Sequence, residues 1–344
     1  RGRVRSTAAM AKRVLGSGAA AMEGSAQGFG CMGITAWYGK PLADADAVAL
    51  LKRAFELGIT HWDTAEVYQG KNAAGELIYN ETVVGKGVAA VGDRGKLQIA
   101  TKFHPSCHDG EMSPEVCVAA CKASCERLGV DYVDLYYVHR FHPKLSAEDQ
   151  AKAMLAVQHA GLAKHIGVSE FSPKSLRAFH AVCPVTAVQQ EWSLMNRDLE
   201  EDLLPVCREL GVGVVAYSPL SRSILSDEVA DAGQTTPQAA GDADDVRAAR
   251  YPRLNADNLP KNAEIARGVR ALAKERGLSL AQLSLAWVAS QGDDVVPIPG
   301  TTKLPHLGDN AKAMGVVLVP AEADLVQAAV PLDKVAGARF TAGD

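Results

Sequence analysis

The stretch DADAVALLKRAFELGITHWD, residues 44–63, decides the fold. Its first part predicts a helix, because apolar side chains recur at helical spacing. Those apolar residues are Val48, Leu51, Ala54 and Phe55. Gly58 follows, and glycine is common directly after a helix because it tolerates positive φ. β-Branched and aromatic residues then occur within 60–63, which is typical of a strand. The stretch therefore contains one helix, a glycine cap and one strand.

The same unit recurs along the chain. Three further helical patterns end at glycine, namely residues 116–128 at Gly129, residues 199–210 at Gly211 and residues 264–276 at Gly277. Short apolar runs alternate with the helices and predict strands at residues 28–32, 60–63, 97–102, 132–139, 165–169, 187–191, 212–217 and 295–299. This alternation is typical of parallel strands with crossover helices, and eight strands match a closed (β/α)8 TIM barrel. We therefore predict a single-domain α/β barrel, with a doubly wound sheet as the alternative.

Two segments lie outside this alternation. Residues 13–15 and 22–27 flank a Gly-Ser-Gly sequence, which predicts an N-terminal hairpin at the bottom of the barrel. Residues 223–259 are polar and predict a long loop before the eighth strand. Two interpretations of this loop are open: a lid or cofactor clasp, and a disordered surface loop. We assign residues 12–344 to the barrel domain and residues 1–11 to a disordered leader or tag.

The composition excludes several classes of protein. The 344 residues carry a net charge of −4 and their basic residues are scattered, so we expect no nucleic-acid partner. No apolar run approaches the roughly 20 residues that span a membrane. Seven cysteines, an odd number in a large chain, indicate reduced thiols and a cytoplasmic protein. The basic residues before Glu23 leave open a transit-peptide remnant, and with it a plastid or another organelle. We expect a monomer or a small homo-oligomer.

Four ionisable residues accompany successive predicted strands. Asp63 ends the second strand, Tyr68 lies in the loop after it, Lys102 ends the third strand and His139 ends the fourth. The carboxyl ends of barrel strands converge on one mouth, where barrel enzymes carry their reacting groups. Taken singly, each residue has an ordinary structural interpretation, such as a helix cap or a wall residue. Together they predict an active site.

These residue types suit proton donation to a carbonyl oxygen. The ammonium of Lys102 is expected to lower the pKa of Tyr68 from its usual value of about 10. Asp63 is expected to keep the lysine protonated and oriented. His139 is expected to donate a second hydrogen bond to the substrate oxygen. Such a site serves a carbonyl that accepts hydride from a cofactor, and it needs no protein nucleophile.

Eight segments of the sequence are similar to those of the aldo-keto reductase superfamily. Three carry the residues above: DTAEVY at 63–68, IATK at 99–102 and DLYYVHR at 134–140. The others are GFGCMG at 28–33, GVSE at 167–170, VQQEWS at 188–193, AYSPL at 216–220 and IPGTTK at 298–303. The resemblance covers about residues 12–330 and is greatest to the branch of perakine reductase and the auxin-induced-protein-like reductases. It implies NADP(H)-dependent reduction of small aldehydes or ketones to alcohols, with detoxification as one role.

The resemblance also implies the cofactor contacts. The nicotinamide carboxamide is expected at Ser169, Glu170 and Gln189, with Glu170 where the family commonly has Asn, and the ring is expected to stack on Tyr217. The pyrophosphate is expected along Ser218, Pro219, Leu220, Ser221 and Arg222. The adenosine 2′-phosphate, which favours NADP(H) over NAD(H), is expected at Gly300, Thr301, Thr302 and Lys303, with the adenine at Asn310. The remaining expected cofactor contacts are Met32, Gly33 and Ile298.

Four residues near the mouth are candidate substrate contacts, namely Trp37, Tyr38, His104 and Arg140. For the two aromatic residues, ordinary loop packing is the alternative. Arg140 either engages an acidic group of the substrate or pairs with a neighbouring acid. No metal is predicted, because three cysteines on one helical face cannot surround a tetrahedral ion, and we expect them to be buried. These are Cys117, Cys121 and Cys125.

Two other functions are compatible with the sequence. One is a cofactor-binding regulatory subunit, because potassium-channel β subunits resemble this family. The other is a barrel lyase or isomerase in which Lys102 forms a Schiff base with the substrate. Cofactor-dependent turnover separates both from a reductase.

Overall fold

We describe the protein from a computed structural model that covers residues 12–72, 74–232 and 245–341. Residues 1–11, which the sequence predicts as a leader or tag, lie outside the described residues. The middle of the predicted loop at 223–259 also lies outside them.

Eight parallel strands form one sheet in the order of the sequence. They are β1 (Phe29–Gly30), β2 (His61–Asp63), β3 (Gln98–Phe103), β4 (Val133–Val138), β5 (Ala163–Ser169), β6 (Val185–Glu191), β7 (Gly213–Tyr217) and β8 (Val295–Pro297). Each strand begins and ends within two residues of its predicted bounds. A doubly wound sheet reverses its strand order, so the sequential order excludes that alternative.

The sheet curls until its two edges meet. The backbone N–H of Gly28 donates to Pro297 O at 2.9 Å, and that of Gly30 donates to Pro299 O at 3.4 Å. These hydrogen bonds join the first strand to the last. The carboxyl ends of all eight strands therefore point toward one face of the molecule.

Twelve α-helices lie within the described residues. They are α1 (Asp44–Glu56), α2 (Asn80–Val91), α3 (Pro114–Leu128), α4 (Ala147–His159), α5 (Pro173–His180), α6 (Leu203–Leu210), α7 (Asp227–Ala232), α8 (Arg247–Arg250), α9 (Leu259–Glu275), α10 (Leu280–Ser290), α11 (Leu304–Lys312) and α12 (Pro320–Ala328). Gly58 follows α1 and Gly129 caps α3, with φ of +81° and +65°, as predicted. None of the described helices combines the length and the apolar character needed to cross a bilayer.

The buried face of α1 differs in part from the predicted one. Leu51 and Ala54 are buried as expected, together with Ala47 and Leu50. Val48 and Phe55 are only half-buried, although they share the helical spacing. The buried face of α1 is therefore centred on Ala47, Leu50, Leu51 and Ala54.

The apolar core has two layers. One layer lies between the strands and the helices, and it includes the buried cysteines Cys117, Cys121 and Cys125 of α3, as predicted. The other contains residues of alternate strands, among them Ala100, Leu135 and Val215, with Leu15 and Met22. The last two come from an antiparallel hairpin of Lys12–Leu15 and Met22–Ser25, and Leu15 packs against Gly213 at the start of β7. The hairpin therefore lies at the amino-terminal ends of the strands, opposite the predicted mouth.

The described part of the segment at 223–259 contains regular secondary structure. It contains α7, α8 and a 3₁₀ turn at Pro252–Leu254. The prediction of a loop was therefore wrong for these residues, because helices this short show too little periodicity to be recognised. Several of their side chains, including Val229, Arg250 and Tyr251, line the cavity at the mouth.

Candidate active site

A cavity of about 730 Å³ lies at the carboxyl ends of the strands. All four predicted substrate contacts line it: Trp37, Tyr38, His104 and Arg140. Most predicted cofactor contacts also line it, namely Met32, Gly33, Gln189, Tyr217, Ser218, Pro219, Leu220, Arg222, Ile298, Gly300, Thr301, Thr302, Lys303 and Asn310. Three do not: Ser169, Glu170 and Ser221. The size and the mixed apolar and polar lining suit a small-molecule site.

Lys102 is fully buried at the end of β3, and its ammonium group has three hydrogen-bond partners. Its Nζ lies 2.5 Å from Asp63 Oδ1, 2.8 Å from Thr64 O and 3.3 Å from Tyr68 Oη. The second carboxylate oxygen of Asp63 accepts a hydrogen bond from Gln189 Nε2 at 2.8 Å. Burial lowers the pKa of Lys102, and Asp63 opposes that shift. Asp63, Tyr68, Lys102 and His139 converge as predicted, and we call them the tetrad.

This arrangement leaves the amine of Lys102 no route to a substrate. An ammonium has three N–H donors, and all three are engaged. The residue is not part of the cavity wall. The geometry therefore disfavours a Schiff base between Lys102 and a substrate.

Tyr68 lies between the buried lysine and the cavity. Its phenol oxygen accepts from Lys102, so its own proton is free to point into the cavity that the residue lines. Trp37 and His139 pack edge-on against its ring, with centroids 5.5 and 5.6 Å away. The ring of Tyr68 is thus packed by two aromatic side chains, and its hydroxyl is hydrogen-bonded to Lys102.

The expected direction of the Tyr68 pKa shift was wrong. Burial and the negative charge of Asp63 raise the pKa of Tyr68, and together they outweigh the opposing charge of Arg140. The sequence argument considered the neighbouring cation but not the loss of solvent. The consequence is a phenol that keeps its proton at neutral pH and has one to donate.

His139 is a neutral imidazole on the cavity wall. Burial lowers its pKa well below the usual value, and the nearby charges of Lys102 and Arg140 lower it further. Its Nδ1 is buried and has no hydrogen-bond partner among the described residues. The tautomer with its proton on Nε2 avoids burying an unpaired donor at Nδ1. This tautomer presents an N–H donor to the cavity.

The loop after β7 has an unusual backbone. Ser218, Ser221, Arg222 and Ser223 have φ between +48° and +80°, in the left-handed region that non-glycine residues rarely adopt. Left-handed residues can turn backbone N–H groups toward an anion. In this loop the N–H groups of Ser221 and Ser223 already donate to Ser218 O and Leu220 O. Ser221 lies behind the wall, where its hydroxyl is 2.8 Å from that of Ser193.

Arg222 does not offer a free guanidinium to a pyrophosphate, contrary to the expectation. Its two terminal nitrogens donate to the carboxylate of Glu191 at 2.6 and 2.9 Å. The guanidinium also lies over the ring of Tyr251, 4.0 Å from its centroid. Sequence reasoning missed this pair because Glu191 ends β6, whereas Arg222 lies in the loop after β7.

Sequence reasoning also missed Arg339, beyond the last helix. Its guanidinium donates to Glu170 at 2.5 Å, to the hydroxyl of Tyr217 at 2.7 Å and to Glu191 at 2.6 Å. Tyr217 in turn donates to Glu170 at 2.9 Å. We call Glu170, Glu191, Tyr217, Arg222 and Arg339 the platform cluster. The sequence did contain one signal for such a cation: Glu170 and Glu191 lie at the ends of two neighbouring strands, and buried acids need cationic partners.

The C-terminal segment that carries Arg339 is held by contacts before and after this residue. Asn262 of α9 exchanges two hydrogen bonds with the backbone of Ala336, each 2.9 Å long. Phe340 lines the cavity and packs near Tyr251, with ring centroids 5.8 Å apart. The end of the described chain is thus part of the cavity wall.

The loop after β8 leads into the amino-terminal end of α11. Lys303 is the N-terminal flanking residue of that helix, and its backbone N–H donates to Thr301 Oγ1 at 3.1 Å. Asn310 lies near the other end of α11, and its buried side chain lines the same cavity. A helix amino terminus with an adjacent lysine suits a phosphate group.

Ser169 lies behind the wall at the end of β5. Its hydroxyl accepts from Arg140 Nη1 at 3.4 Å, and the same nitrogen donates to His139 O at 2.8 Å.

Within residues 12–72, 74–232 and 245–341, no group of three or more His, Cys, Asp or Glu side chains is arranged to hold a metal ion.

Comparisons with known proteins agree with this architecture. The model of the "Aldo/keto reductase family" matches residues 28–331. A soybean (Glycine max) protein described as "Probable aldo-keto reductase 1" is 42% identical over 331 residues, which cover 95% of this chain and 91% of that protein.

Solved structures are similar over almost the whole chain. A thermostable aldo-keto reductase in complex with the inhibitor epalrestat has a TM-score of 0.72 and 29% identity, with coverage of 93% of this chain and 100% of that one. An aldo-keto reductase from Klebsiella pneumoniae in complex with NADPH has a TM-score of 0.67 and 25% identity, with coverage of 93% and 95%.

Proposed function

The chain belongs to the aldo/keto reductase family, and we propose that it reduces aldehydes or ketones to alcohols with NADPH as hydride donor and Tyr68 as proton donor. Carbonyl oxidoreduction with NADP(H) is the chemistry of this family. One observation carries the assignment of Tyr68: its oxygen accepts from the buried ammonium of Lys102 while its own proton remains available to the cavity.

The donor groups of the cavity fit a dinucleotide phosphate. Tyr217 offers an aromatic face close to the tetrad, the loop from Ser218 to Ser223 offers left-handed backbone, and Lys303 stands before α11. These suit, in order, a planar ring, a pyrophosphate and a further phosphate. The NADPH complex of the related Klebsiella pneumoniae structure supports such a site.

Tyr217 would hold the nicotinamide ring, and Gln189 its carboxamide. Gln189 already donates to Asp63, which fixes the orientation of its amide relative to the tetrad. Glu170 is engaged with Tyr217 and Arg339, so we assign it to the support of the ring rather than to the carboxamide. Backbone groups of the loop after β7, rather than the guanidinium of Arg222, would bind the pyrophosphate.

The bound cofactor supplies hydride to the carbonyl carbon. Tyr68 and His139 would each donate a hydrogen bond to the carbonyl oxygen, where negative charge develops. Tyr68 then gives its proton to that oxygen, and the adjacent Lys102 ammonium stabilises the phenolate that remains. Asp63 keeps the ammonium charged and in place.

The test is turnover by the purified protein. Consumption of NADPH, followed by its absorbance, is expected with a panel of nitrobenzaldehydes, methylglyoxal and aliphatic aldehydes. Tight NADPH binding with negligible turnover across the panel would contradict the proposal and favour a regulatory subunit. The preference for NADPH over NADH is measured in the same assay.

Lys303 is proposed to read the 2′-phosphate of NADPH. In Lys303→Met we expect the KM for NADPH to rise by roughly tenfold, because a hydrogen bond to a charged group is lost. The KM for NADH should change little. Lys312→Met is the matched control, because it removes the same charge from the exposed far end of α11. Equal effects of the two variants would contradict this role.

We also propose that the described parts of the segment at 223–259, residues 223–232 and 245–259, act as a cover over the bound cofactor. Its described parts contribute Ser226, Val229, Arg247 and Tyr251 to the cavity wall. Arg247 is anchored to Asp245 and donates to Ser223 Oγ at 2.8 Å, which joins the two described parts of the segment. Protection of this segment from limited proteolysis by NADPH is the expected result, and unchanged cleavage would contradict it.

A further inference from the structure

We propose that the cavity selects carbonyl substrates that carry a carboxylate, and that Arg140 binds this group. The inference rests on the proposed reductase function and names the substrate class of the same site.

Two arginines of the cavity wall have a carboxylate partner. Arg222 makes two hydrogen bonds to Glu191, and Arg247 lies 2.6 Å from Asp245. Arg140 differs. Its contacts among the described residues are the neutral oxygens of His139 and Ser169, and no described carboxylate lies within ion-pair distance. Both of those contacts use Nη1, so the rest of the guanidinium fork is uncommitted within the described residues.

Arg140 stands at the reacting end of the cavity. It directly follows His139, whose ring lies 5.6 Å from that of Tyr68 and 5.2 Å from that of His104. Its charge opposes the rise in the pKa of Tyr68 and lowers the pKa of His139, which indicates electrostatic proximity to both proton-donating groups. The loops that suit phosphates follow β7 and β8 instead. The cation is therefore placed for a group on the substrate.

The chemistry of this cation favours a carboxylate. A planar guanidinium binds carboxylate oxygens through parallel hydrogen bonds, and partial burial reduces the screening of the interaction. The chain as a whole carries a net charge of −4, so it has no general attraction for anions. Trp37 and Tyr38, on the same cavity, offer apolar surface to the body of the substrate. The substrate class is thus an apolar or aromatic carbonyl compound with an anionic end.

A competing role for Arg140 is to hold the nicotinamide carboxamide, because Ser169 is its neighbour. The two roles have different consequences. A carboxamide contact serves all substrates equally, whereas a substrate contact serves only the charged ones. Matched substrates therefore separate them.

The experiment compares carboxybenzaldehydes with their methyl esters, and succinic semialdehyde with butanal. The three ring isomers are included, because the position of the carboxylate relative to the carbonyl sets the distance to Arg140. The ratio of kcat/KM for the charged and neutral member of each pair is measured in the wild type, Arg140→Met and Arg140→Lys. Arg177→Met is the control, because it removes one charge from an exposed ion pair between α5 and Glu209 of α6.

For at least one pair we expect the wild type to prefer the carboxylate by roughly tenfold or more, as one charge-assisted contact is lost with the ester. Arg140→Met should abolish the preference, Arg140→Lys should retain part of it, and Arg177→Met should leave it unchanged. The same ratio in Arg140→Met and the wild type would overturn the proposal. So would an equal loss for charged and neutral substrates, which assigns Arg140 to the cofactor. Absence of turnover with every aldehyde would instead overturn the reductase function itself.

Discussion

The tetrad and the platform cluster are two ionic groups that border the same cavity, and they are arranged for different tasks; the tetrad is buried, whereas the platform cluster is partly buried. The tetrad has one carboxylate and one ammonium, and its two neutral members, Tyr68 and His139, line the cavity. The platform cluster has two carboxylates and two guanidiniums, which pair with one another. The first leaves proton donors available to a ligand, whereas the second satisfies its charges internally.

The tetrad is therefore suited to take part in the reaction, whereas the platform cluster is suited to hold side chains in place. In the tetrad, the ion pair of Asp63 and Lys102 lies beneath Tyr68 and controls the charge around its hydroxyl. In the platform cluster, burial alone would raise the pKa of Glu191, but Arg222 and Arg339 lower it overall. Its carboxylate is therefore a stable anchor for two cations. Substitutions in the tetrad should cost turnover, and substitutions in the platform cluster should cost stability and cofactor affinity.

The largest expected effect is that of Tyr68→Phe. Loss of the proton donor should reduce kcat by roughly 10³-fold, which is within the usual contribution of acid–base catalysis. The Kd for NADPH should be unchanged, because the phenol oxygen is not assigned to the cofactor. Tyr136→Phe is the matched control, because its buried hydroxyl lies outside the cavity wall. Comparable activity in the two variants would contradict the role of Tyr68.

The next largest effect should be on stability. Glu191→Gln leaves Arg222 and Arg339 without their shared carboxylate, and breaking a buried ion pair typically costs about 3–5 kcal/mol. Urea denaturation measures the change in the free energy of unfolding. Glu209→Gln, which breaks an exposed pair with Arg177, should cost less than about 1 kcal/mol. Similar losses in both variants would show that the platform cluster does not anchor the fold.

A smaller effect is expected at the C-terminal segment. Arg339→Met removes the hydrogen bonds that hold Glu170 and Tyr217, so the ring platform should lose its fixed orientation. We expect the Kd for NADPH to rise by roughly tenfold, as for the loss of one charge-assisted contact. Fluorescence quenching by NADPH measures it. An unchanged Kd with a normal far-ultraviolet spectrum would limit Arg339 to a structural role.

The smallest expected effect is that of pH on reduction. The raised pKa of Tyr68 keeps its proton in place up to alkaline pH, so loss of the donor form is not expected near neutrality. The lowered pKa of His139 keeps its imidazole neutral down to acidic pH. Between about pH 6 and about pH 9, kcat should therefore vary by less than a few-fold. A sharp fall in kcat as the pH is lowered through about 6.5, the usual pKa of histidine, would assign a normal pKa to His139.

The same contrast explains what the sequence could predict. The members of the tetrad lie at or just after the ends of β2, β3 and β4, where an apolar run ends in a titratable group. Barrel geometry brings such positions together, so order along the chain was sufficient. The eight strands were likewise predicted because each has a short apolar run.

The platform cluster has no such local pattern. Arg339 lies 169 residues from Glu170 and 148 from Glu191, and it follows a helix rather than a strand. Its position depends on the path of the C-terminal segment, which Asn262 fixes through backbone hydrogen bonds. The direction of the Tyr68 pKa shift was also beyond the sequence, because the extent of burial is a property of the folded cavity.

Transfer of deuterium from NADPH in which both hydrogens at C4 of the dihydronicotinamide are replaced by deuterium tests the proposed reaction itself. Purified protein is mixed with the labelled cofactor and 4-nitrobenzaldehyde, and the alcohol is analysed by mass spectrometry. The proposed mechanism predicts one deuterium on the carbinol carbon with the wild type, and no product above the uncatalysed level with Tyr68→Phe in the same time. Unlabelled alcohol from the wild type, or labelled alcohol formed equally fast by Tyr68→Phe, would contradict it.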